Sequence, residues 1–197
     1  NKAFDQLEGQ VGTLKIFLSR LATKESFWVF SGDEVELKIT NRENPSILIL
    51  ASDPGTQDIN SALYSSVLNR TLRLINSKHN LPGGIIADEF PTIYIHKIDN
   101  VVATARSNKV AVLLGLQEIP QLRQFYKKEV ADTISAIVGN ILSGSARDKN
   151  TLEWLEKLFG KIKQKSYSQS ISQQGTTTSI NEKMDFMIPA GKIATLK

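Results

Sequence analysis

The sequence predicts an α/β domain built on a mostly parallel sheet, with helices on both faces. Short apolar runs at residues 46–51, 85–88 and 110–116 have the length and composition of strands buried on both faces. Between them, apolar residues recur every three or four positions over residues 57–77 and 98–105, which predicts helices. Strands that alternate with helices favour parallel pairing, because parallel neighbours need a long crossover connection.

The N-terminal part of the chain is predicted to contain one helix and two further strands. The apolar face of the helix steps by three and four residues, through Phe4, Leu7, Val11, Leu14, Leu18 and Leu21. Aromatic and β-branched residues at 27–30 and 35–39 favour strands, and the polar residues 31–34 between them are typical of a turn.

Helical signals continue after the last of the apolar runs. Pro120 fits the first turn of a short helix, and the apolar spacing over residues 130–138 predicts another helix. Residues 141–144 fit a short fourth strand. Asn150 and the glutamate three residues later resemble a capping box, which predicts the start of a helix that Gly160 ends.

Composition divides the chain into three predicted segments. Residues 1–24 form a helical segment, residues 25–160 form the α/β core, and residues 161–197 form a polar extension that closes with a short helix. Within the extension, residues 166–179 are rich in Ser, Gln and Thr. Few apolar residues are available there for burial, so we expect either an exposed edge strand or a loop.

Overall composition excludes several classes of site. The chain has 197 residues and no cysteine, which excludes disulfides, thiolate zinc sites and cysteine nucleophiles. Its two histidines lack the HExxH spacing of a catalytic zinc site. The net charge of +4 permits an anionic partner such as DNA but is too small to identify one. The chain begins with Asn1 and has no signal-peptide pattern, so we expect it to be part of a longer protein.

The most informative motif is the pair Asp88-Glu89, which ends the apolar run at residues 85–88 and precedes Phe90-Pro91. In open α/β sheets, ligands bind at the carboxyl ends of strands. An apolar strand that ends in Asp-Glu is typical of the Walker B motif of nucleotide hydrolases, where Asp holds Mg²⁺ and Glu orients the attacking water. Two solvated carboxylates before a proline turn would give the same pattern. The motif alone leaves both interpretations open.

A nucleotide hydrolase also needs a phosphate-binding loop of the form GxxxxGK[ST]. The Gly-Lys pairs of this chain, Gly160-Lys161 and Gly191-Lys192, are each followed by Ile and lack the preceding glycine. The Walker A motif is therefore absent from the sequence. Its absence weighs against an enzyme, unless the loop lies upstream of Asn1.

Two further residues follow predicted elements next to the motif. Gln117 ends the strand that comes after the Asp88 strand, where an amide could contact a γ-phosphate or the attacking water. It could equally satisfy backbone groups of a loop. Arg106 ends the helix between the two strands. The helix dipole explains a cation there, and an arginine finger that reaches a neighbouring subunit is the alternative.

Three segments together resemble the C-terminal part of the nucleotide-binding domain of type IV secretion coupling proteins, the TraG/TraD family. They are residues 35–50 (VELKITNRENPSILIL), residues 85–94 (IIADEFPTIY) and residues 103–122 (ATARSNKVAVLLGLQEIPQL). The spacing between the second and third segments also fits the family. The resemblance covers most of residues 35–160, and the combination is more specific than any single motif.

The resemblance implies a RecA-like P-loop NTPase core and a set of residue roles. Such proteins are ATPases anchored in the bacterial inner membrane, which form homo-hexameric rings and pass relaxase-bound single-stranded DNA toward a type IV secretion channel. It implies that Asp88 holds Mg²⁺, Glu89 activates water, Gln117 senses the γ-phosphate and Arg106 acts as a finger in a neighbouring subunit. ATP and Mg²⁺ are the cofactors expected in the full-length parent. No residue is assigned to DNA contact.

The chain departs from the family by lacking its membrane segment and Walker A loop. We therefore expect a cytoplasmic piece of the motor that holds half of a nucleotide site and is inactive alone. Residues 1–24 would then be a remnant of the family's all-helical insertion. Two alternatives stay open: another RecA-like DNA translocase, and a module that binds a relaxosome protein without activity of its own.

Overall fold

The structure, a computed structural model, describes residues 2–51, 53, 55–172 and 175–196. The chain forms two compact units. The first contains residues up to 115 together with 133–137, and the second contains residues 116–132 and everything from 138 onward. Within the described residues, no helix is long and apolar enough to cross a membrane.

The described residues of the first unit form two strands and four helices, with two turns of 3₁₀ helix. In chain order these are α1 (Lys2–Leu21), α2 (Lys24–Phe30), α3 (Gln57–Ile75), β1 (Gly83–Ala87), the 3₁₀ turn Phe90–Thr92, α4 (Ile98–Ala105), the 3₁₀ turn Arg106–Asn108 and β2 (Val110–Leu114). Strands β1 and β2 pair in parallel, with Gly83 opposite Val110 and Ala87 opposite Leu114. Helix α4 provides the crossover between them, as the alternation of strands and helices predicted.

The core of this unit lies against one face of the two strands. Ile75 of α3, Ala105 of α4 and Val110 of β2 are buried together, and Ile85 and Val112 pack against them. The residues between them project to the other face, where Ile86 is 80 % and Leu113 58 % exposed. The prediction that these strands are buried on both faces is therefore wrong for the described chain. Successive side chains of a strand alternate between faces, and the helices that form the buried cluster cover only one.

Three other predicted strands are wrong. Residues 27–30 lie in α2, because Thr23 caps that helix by accepting a hydrogen bond from the Ser26 backbone N–H at 3.1 Å. Residues 35–39 and 46–51 adopt no regular secondary structure, and in the second of these runs Ile47 and Ile49 are each more than 80 % exposed. An apolar run becomes a strand only when a neighbouring strand offers hydrogen bonds, and propensity does not supply that neighbour.

The second unit contains α5 (Ile119–Ile137, whose last five residues group with the first unit), α6 (Lys149–Phe159), β3 (Lys161–Ser172), β4 (Gly175–Phe186) and α7 (Ala190–Ala194). The two helices predicted around Pro120 and over residues 130–138 both lie within α5, and they are separated at Lys127, whose backbone is not helical, with φ 62° and ψ 157°. Residues 141–144 form no strand, contrary to prediction.

Helix α6 packs on α7 through Leu155 and Ile193, which are buried with Ala146. The N-cap of α6 is Asp148, whose side chain accepts the Thr151 backbone N–H at 2.9 Å. The prediction of a start at Asn150 is therefore wrong by two residues. Asp148 lies three residues before the Thr151 N–H, which is the spacing of an N-cap, so the helix begins before Asn150. Gly160 ends the helix with a φ of 73°, as predicted.

Strands β3 and β4 form a long antiparallel ribbon, in register from Lys161 opposite Phe186 to Ser172 opposite Gly175. This confirms the strand alternative for the described part of residues 166–179, while residues 173 and 174 lie outside the described residues. The base of the ribbon is charged: Glu182 forms ion pairs with Lys163, at 3.9 Å, and with Lys165, at 3.2 Å.

Candidate functional site

Asp88 and Glu89 form a tight turn immediately after β1. Glu89 has left-handed backbone angles, with φ 47° and ψ 40°, and its N–H donates to Asp88 Oδ1 at 3.0 Å. A left-handed conformation is unfavourable for a residue other than glycine, and such residues cluster at functional sites. We call residues 88–92 the Asp88 turn.

Backbone hydrogen bonds hold the Asp88 turn in place. The Phe90 N–H donates to the Gly115 carbonyl at 2.8 Å, and both the N–H and the hydroxyl of Thr92 donate to the Glu89 carbonyl at 2.9 Å. Phe90 is buried, with 2 % of its surface exposed. The two carboxylate side chains lie on the exposed side of the turn. The backbone is thus anchored while the acids face solvent, where they could meet a ligand.

Gly115, which continues β2, makes the closest approach to Asp88. Its N–H donates to the Ala87 carbonyl at 2.8 Å. A Cβ at this position would lie 2.9 Å from Asp88 Oδ1, closer than real Cβ contacts come. The residue must therefore be glycine if the Asp88 carboxylate is to keep its place. The predicted site did not include Gly115, although a glycine within an apolar strand is a known signal of close backbone approach.

Arg106 lies at the opposite end of the two strands. It begins the 3₁₀ turn that precedes β2, and the first residue of β2 pairs with the first residue of β1. Asp88 follows the last residue of β1, so a strand of five residues separates the two ends. At about 3.3 Å per residue this is about 16 Å, longer than an arginine side chain. Within one chain, Arg106 is not brought to the Asp88 turn.

A small amide cluster fixes the backbone around Arg106. Asn76, which follows α3, donates to the Thr104 hydroxyl at 2.7 Å. Asn108 in turn donates to the Asn76 side-chain oxygen at 2.6 Å. These bonds join the end of α3 to the end of α4, and the Arg106 side chain extends from this junction into solvent.

Gln117 belongs to the second unit, and its side chain is exposed. The next residue, Glu118, anchors this part of the backbone to the start of α6. Glu118 Oε1 accepts the backbone N–H groups of Arg147 at 3.1 Å and Asp148 at 3.3 Å. The Ile119 N–H donates to the Thr151 hydroxyl at 3.0 Å. Two successive residues after Gln117 are thus tied to the same helix start.

The environment of Glu118 favours its ionised form. Burial of the carboxyl raises its pKa, but the Thr151 hydroxyl and the backbone N–H groups of Arg147 and Asp148 together lower it more. The carboxylate of Asp148 nearby acts in the raising direction. The net result is a pKa below the ordinary value for glutamate.

The chemistry of the Asp88 turn fits a hard cation bound together with a phosphate ligand. Among the residues that the structure describes, no three or more His, Asp or Glu side chains are grouped as a metal site. Mg²⁺ does not require such a group, because it keeps several waters and is held by one or two carboxylates with substrate phosphates. An exposed aspartate at the carboxyl end of a parallel strand is a suitable donor of this kind.

Comparison with known proteins gives a family and a fold. A family model described as the TraM recognition site of TraD and TraG matches residues 82–197. Among solved structures, the bacterial conjugative coupling protein TrwBdeltaN70, in a trigonal form with sulphate, matches with a TM-score of 0.64 over 84% of this chain at 17% identity. The plasmid coupling protein TrwB in complex with ADP and Mg²⁺ matches 84% of this chain with a TM-score of 0.61 and 17% identity. Curated proteins give no match by sequence.

These matches confirm the predicted α/β class, with the RecA-like P-loop NTPase fold that the TrwB structures represent. At such low identity the structural likeness shows the fold alone. The chain spans 39% and 38% of the length of the two TrwB chains. The family match, by contrast, covers more than half of the 197 residues and contains the Asp88 turn, Arg106 and Gln117. The chain therefore belongs to the TraG/TraD family of conjugative coupling proteins.

Proposed function

We propose that this chain supplies the Walker B half of an ATPase site in a motor that delivers relaxase-bound single-stranded DNA to a type IV secretion channel. The observation that supports this most directly is the Asp88 turn. A strained, backbone-anchored turn presents two carboxylates at the carboxyl end of a parallel strand. The left-handed conformation of Glu89 costs free energy, and the backbone hydrogen bonds of the turn hold it in place.

In this proposal the two acids have different roles. Asp88, whose carboxylate is positioned by the Glu89 N–H and by the absence of a side chain at Gly115, would hold Mg²⁺. When bound with ATP, Mg²⁺ neutralises charge on the β- and γ-phosphates. Glu89 would orient the attacking water and accept its proton, and Gln117 would contact the γ-phosphate. The Walker A loop that holds the phosphates would come from another part of the parent protein.

Arg106 would serve the site of a neighbouring copy. Arg106 lies about 16 Å from the Asp88 turn of its own chain, which is too far for it to contact that site. It could therefore contribute to hydrolysis only at the site of a neighbouring copy. Such a contact requires a heterologous interface that closes into a ring. A homo-hexamer in the parent is consistent with this geometry. The parent would be anchored in the bacterial inner membrane, with this chain on the cytoplasmic side.

The test uses the full-length coupling protein that carries this sequence. Replacing Glu89 with Gln keeps the size of the side chain and removes the base, so we expect loss of ATP hydrolysis and of DNA transfer with nucleotide binding retained. Glu34→Gln, an exposed acid in an irregular segment of the same unit, is the matched control and should leave both activities unchanged. Normal transfer by the Glu89→Gln protein would contradict the proposed role.

A second candidate function is recognition of a relaxosome protein without activity of the chain itself. The description of the matched family as a TraM recognition site favours it. Titrating the 197-residue chain with ATP and, independently, with relaxosome proteins distinguishes the two candidate functions. We expect no detectable hydrolysis by the chain alone, because it has no GxxxxGK[ST] loop. Rapid turnover by this chain would show that the proposed half-site is wrong.

A further inference from the structure

The backbone that carries Arg106 is anchored on both sides of that residue. Immediately before it, Ala105 is buried with Ile75 in the core of the first unit. Four residues after it, Val110 enters the same core. The Arg106 side chain itself is exposed. The backbone is thus held close to the core while the guanidinium faces solvent. We call residues 104–108 the Arg106 turn.

A single residue, Asn76, joins the two ends of the Arg106 turn. Its side-chain amide donates to the Thr104 hydroxyl at 2.7 Å, two residues before Arg106. Its side-chain oxygen accepts the side-chain amide of Asn108 at 2.6 Å, two residues after Arg106. The same Asn108 amide also donates to the Asn76 backbone carbonyl at 3.3 Å. Asn76 therefore fixes the turn from both ends.

The end of α3, which Asn76 follows, is held by a different residue. Asn80 donates its side-chain amide to the carbonyls of Leu74 at 2.6 Å and of Ile75 at 3.1 Å. These bonds satisfy carbonyl groups that a helix leaves without partners at its C-terminus. The end of α3 therefore has its own cap, whereas the bonds of the Asn76 side chain go to the two ends of the Arg106 turn.

We propose that Asn76 is a positioning residue for ATP hydrolysis, which holds Arg106 in the direction from which it reaches the nucleotide site of a neighbouring copy. This inference rests on the proposed role of Arg106 in trans. An arginine side chain is long and flexible, so its guanidinium is placed accurately only when the backbone that carries it is fixed. A favourable interaction with the dipole of α4 would require only a cation near the end of that helix, without such anchoring.

The principal test is Asn76→Ala in the full-length coupling protein. The variant keeps Arg106 and removes the side-chain hydrogen bonds that join the ends of the Arg106 turn. Because a catalytic group displaced by about 1 Å commonly loses about 100-fold in rate, we expect kcat for ATP hydrolysis to fall about 100-fold. The KM for ATP should change less than about twofold, since the guanidinium acts on charge that develops in the transition state. A wild-type kcat would overturn the proposal.

Two sets of variants distinguish positioning from a purely structural role. Asn80→Ala removes amide bonds from the same end of α3 without touching the Arg106 turn, so it should lower stability in urea and keep kcat. Thr104→Val removes the hydroxyl that Asn76 contacts and should lower kcat about tenfold, whereas Thr104→Ser keeps the hydroxyl and should retain kcat. The Thr104 pair carries the test if Asn76→Ala does not fold. Equal rates in that pair, or an equal loss in Asn80→Ala, would refute positioning by Asn76.

Mixed assemblies separate a misplaced arginine from damage to the chain's own site. Asn76→Ala chains keep Glu89, and Glu89→Gln chains keep an intact Arg106 turn. In an equal mixture, about one site in four combines an intact Glu89 with an intact arginine from its neighbour, so we expect about a quarter of the wild-type rate. A mixture of Arg106→Ala with Glu89→Gln chains is measured in parallel.

The two mixtures distinguish failure of this inference from failure of the proposed function. If the Arg106→Ala mixture recovers activity and the Asn76→Ala mixture does not, the positioning role of Asn76 is wrong while the role of Arg106 in trans stands. If neither mixture recovers activity, the role of Arg106 in trans is wrong, and the role of Asn76 falls with it. Recovery in both mixtures, with kcat retained in Asn80→Ala, is the result expected.

Discussion

Gly115→Ala is the sharpest perturbation of the candidate site. The added methyl group would lie 2.9 Å from Asp88 Oδ1, 3.5 Å from Asp88 Cα and 3.6 Å from the Ala87 carbonyl oxygen. The last two are ordinary contacts, so the backbone need not move. The carboxylate must rotate away, which breaks its hydrogen bond with the Glu89 N–H. The substitution thus displaces one functional group without removing it.

The expected effects on stability and on catalysis differ in size. Loss of the hydrogen bond costs about 1 kcal/mol of unfolding free energy, and replacing glycine in an extended segment returns about 0.5 kcal/mol by restricting the unfolded chain. The net change is close to zero. A catalytic group displaced by about 1 Å commonly loses about 100-fold in rate. We therefore expect nearly unchanged stability and a large loss of ATP hydrolysis in the full-length protein.

The assay is steady-state ATP hydrolysis as a function of Mg²⁺ concentration, with urea unfolding as the measure of stability. Gly115→Ala should raise the Mg²⁺ concentration needed for half-maximal rate as well as lower the rate. Gly84→Ala on β1 is the matched control, because a Cβ there has no neighbour within 4 Å. Full activity with normal Mg²⁺ dependence in Gly115→Ala, or an equal loss in Gly84→Ala, would refute the positioning of Asp88 by Gly115.

Two further predictions concern Glu118 and Arg106. The pKa of Glu118 is lowered in the folded chain. Its ionised form therefore stabilises the fold at pH values above 4.5, the ordinary pKa of glutamate, and this contribution is lost as the pH falls through the folded-state pKa. Glu118→Gln should therefore lower the unfolding free energy by about 1 kcal/mol at pH 7, and the difference from the wild type should disappear in acid. A difference that is the same at pH 7 and pH 3 would contradict this origin. Arg106→Ala should abolish hydrolysis in the full-length protein, and mixing it with Glu89→Gln chains should restore about a quarter of the activity if each site takes its arginine from a neighbour. A mixture that stays inactive would argue against a contribution in trans.

The elements that the sequence predicted well are those whose signal is local. The apolar spacing of α3 and α4 sets one helix face, and the runs at β1 and β2 are short, apolar and bounded by turn residues. The Asp88 turn was also predictable, since a pair of carboxylates directly after an apolar strand is visible in the chain itself. These features depend on residues close to one another in sequence.

The failed predictions depended on partners far along the chain. Residues 46–51 have the composition of a strand, but no described strand pairs with them and they stay irregular. The apolar side chains of Ile86 and Leu113 favour a strand, but other elements decide whether their face of the strand is covered. The role of Gly115 also depends on the assembled fold, since its close approach to Asp88 arises only when β1 and β2 lie side by side.

By itself, the sequence determined that this protein alternates strands and helices and that it places Asp88 and Glu89 at a strand end. It also carried enough family-specific segments to predict the TraG/TraD family. Only the tertiary structure decided that Gly115 sets the position of the Asp88 carboxylate and that Arg106 lies at the far end of the same strands. The physical reason is that periodicity and turn chemistry are properties of neighbouring residues, whereas distance and burial are properties of the assembled fold.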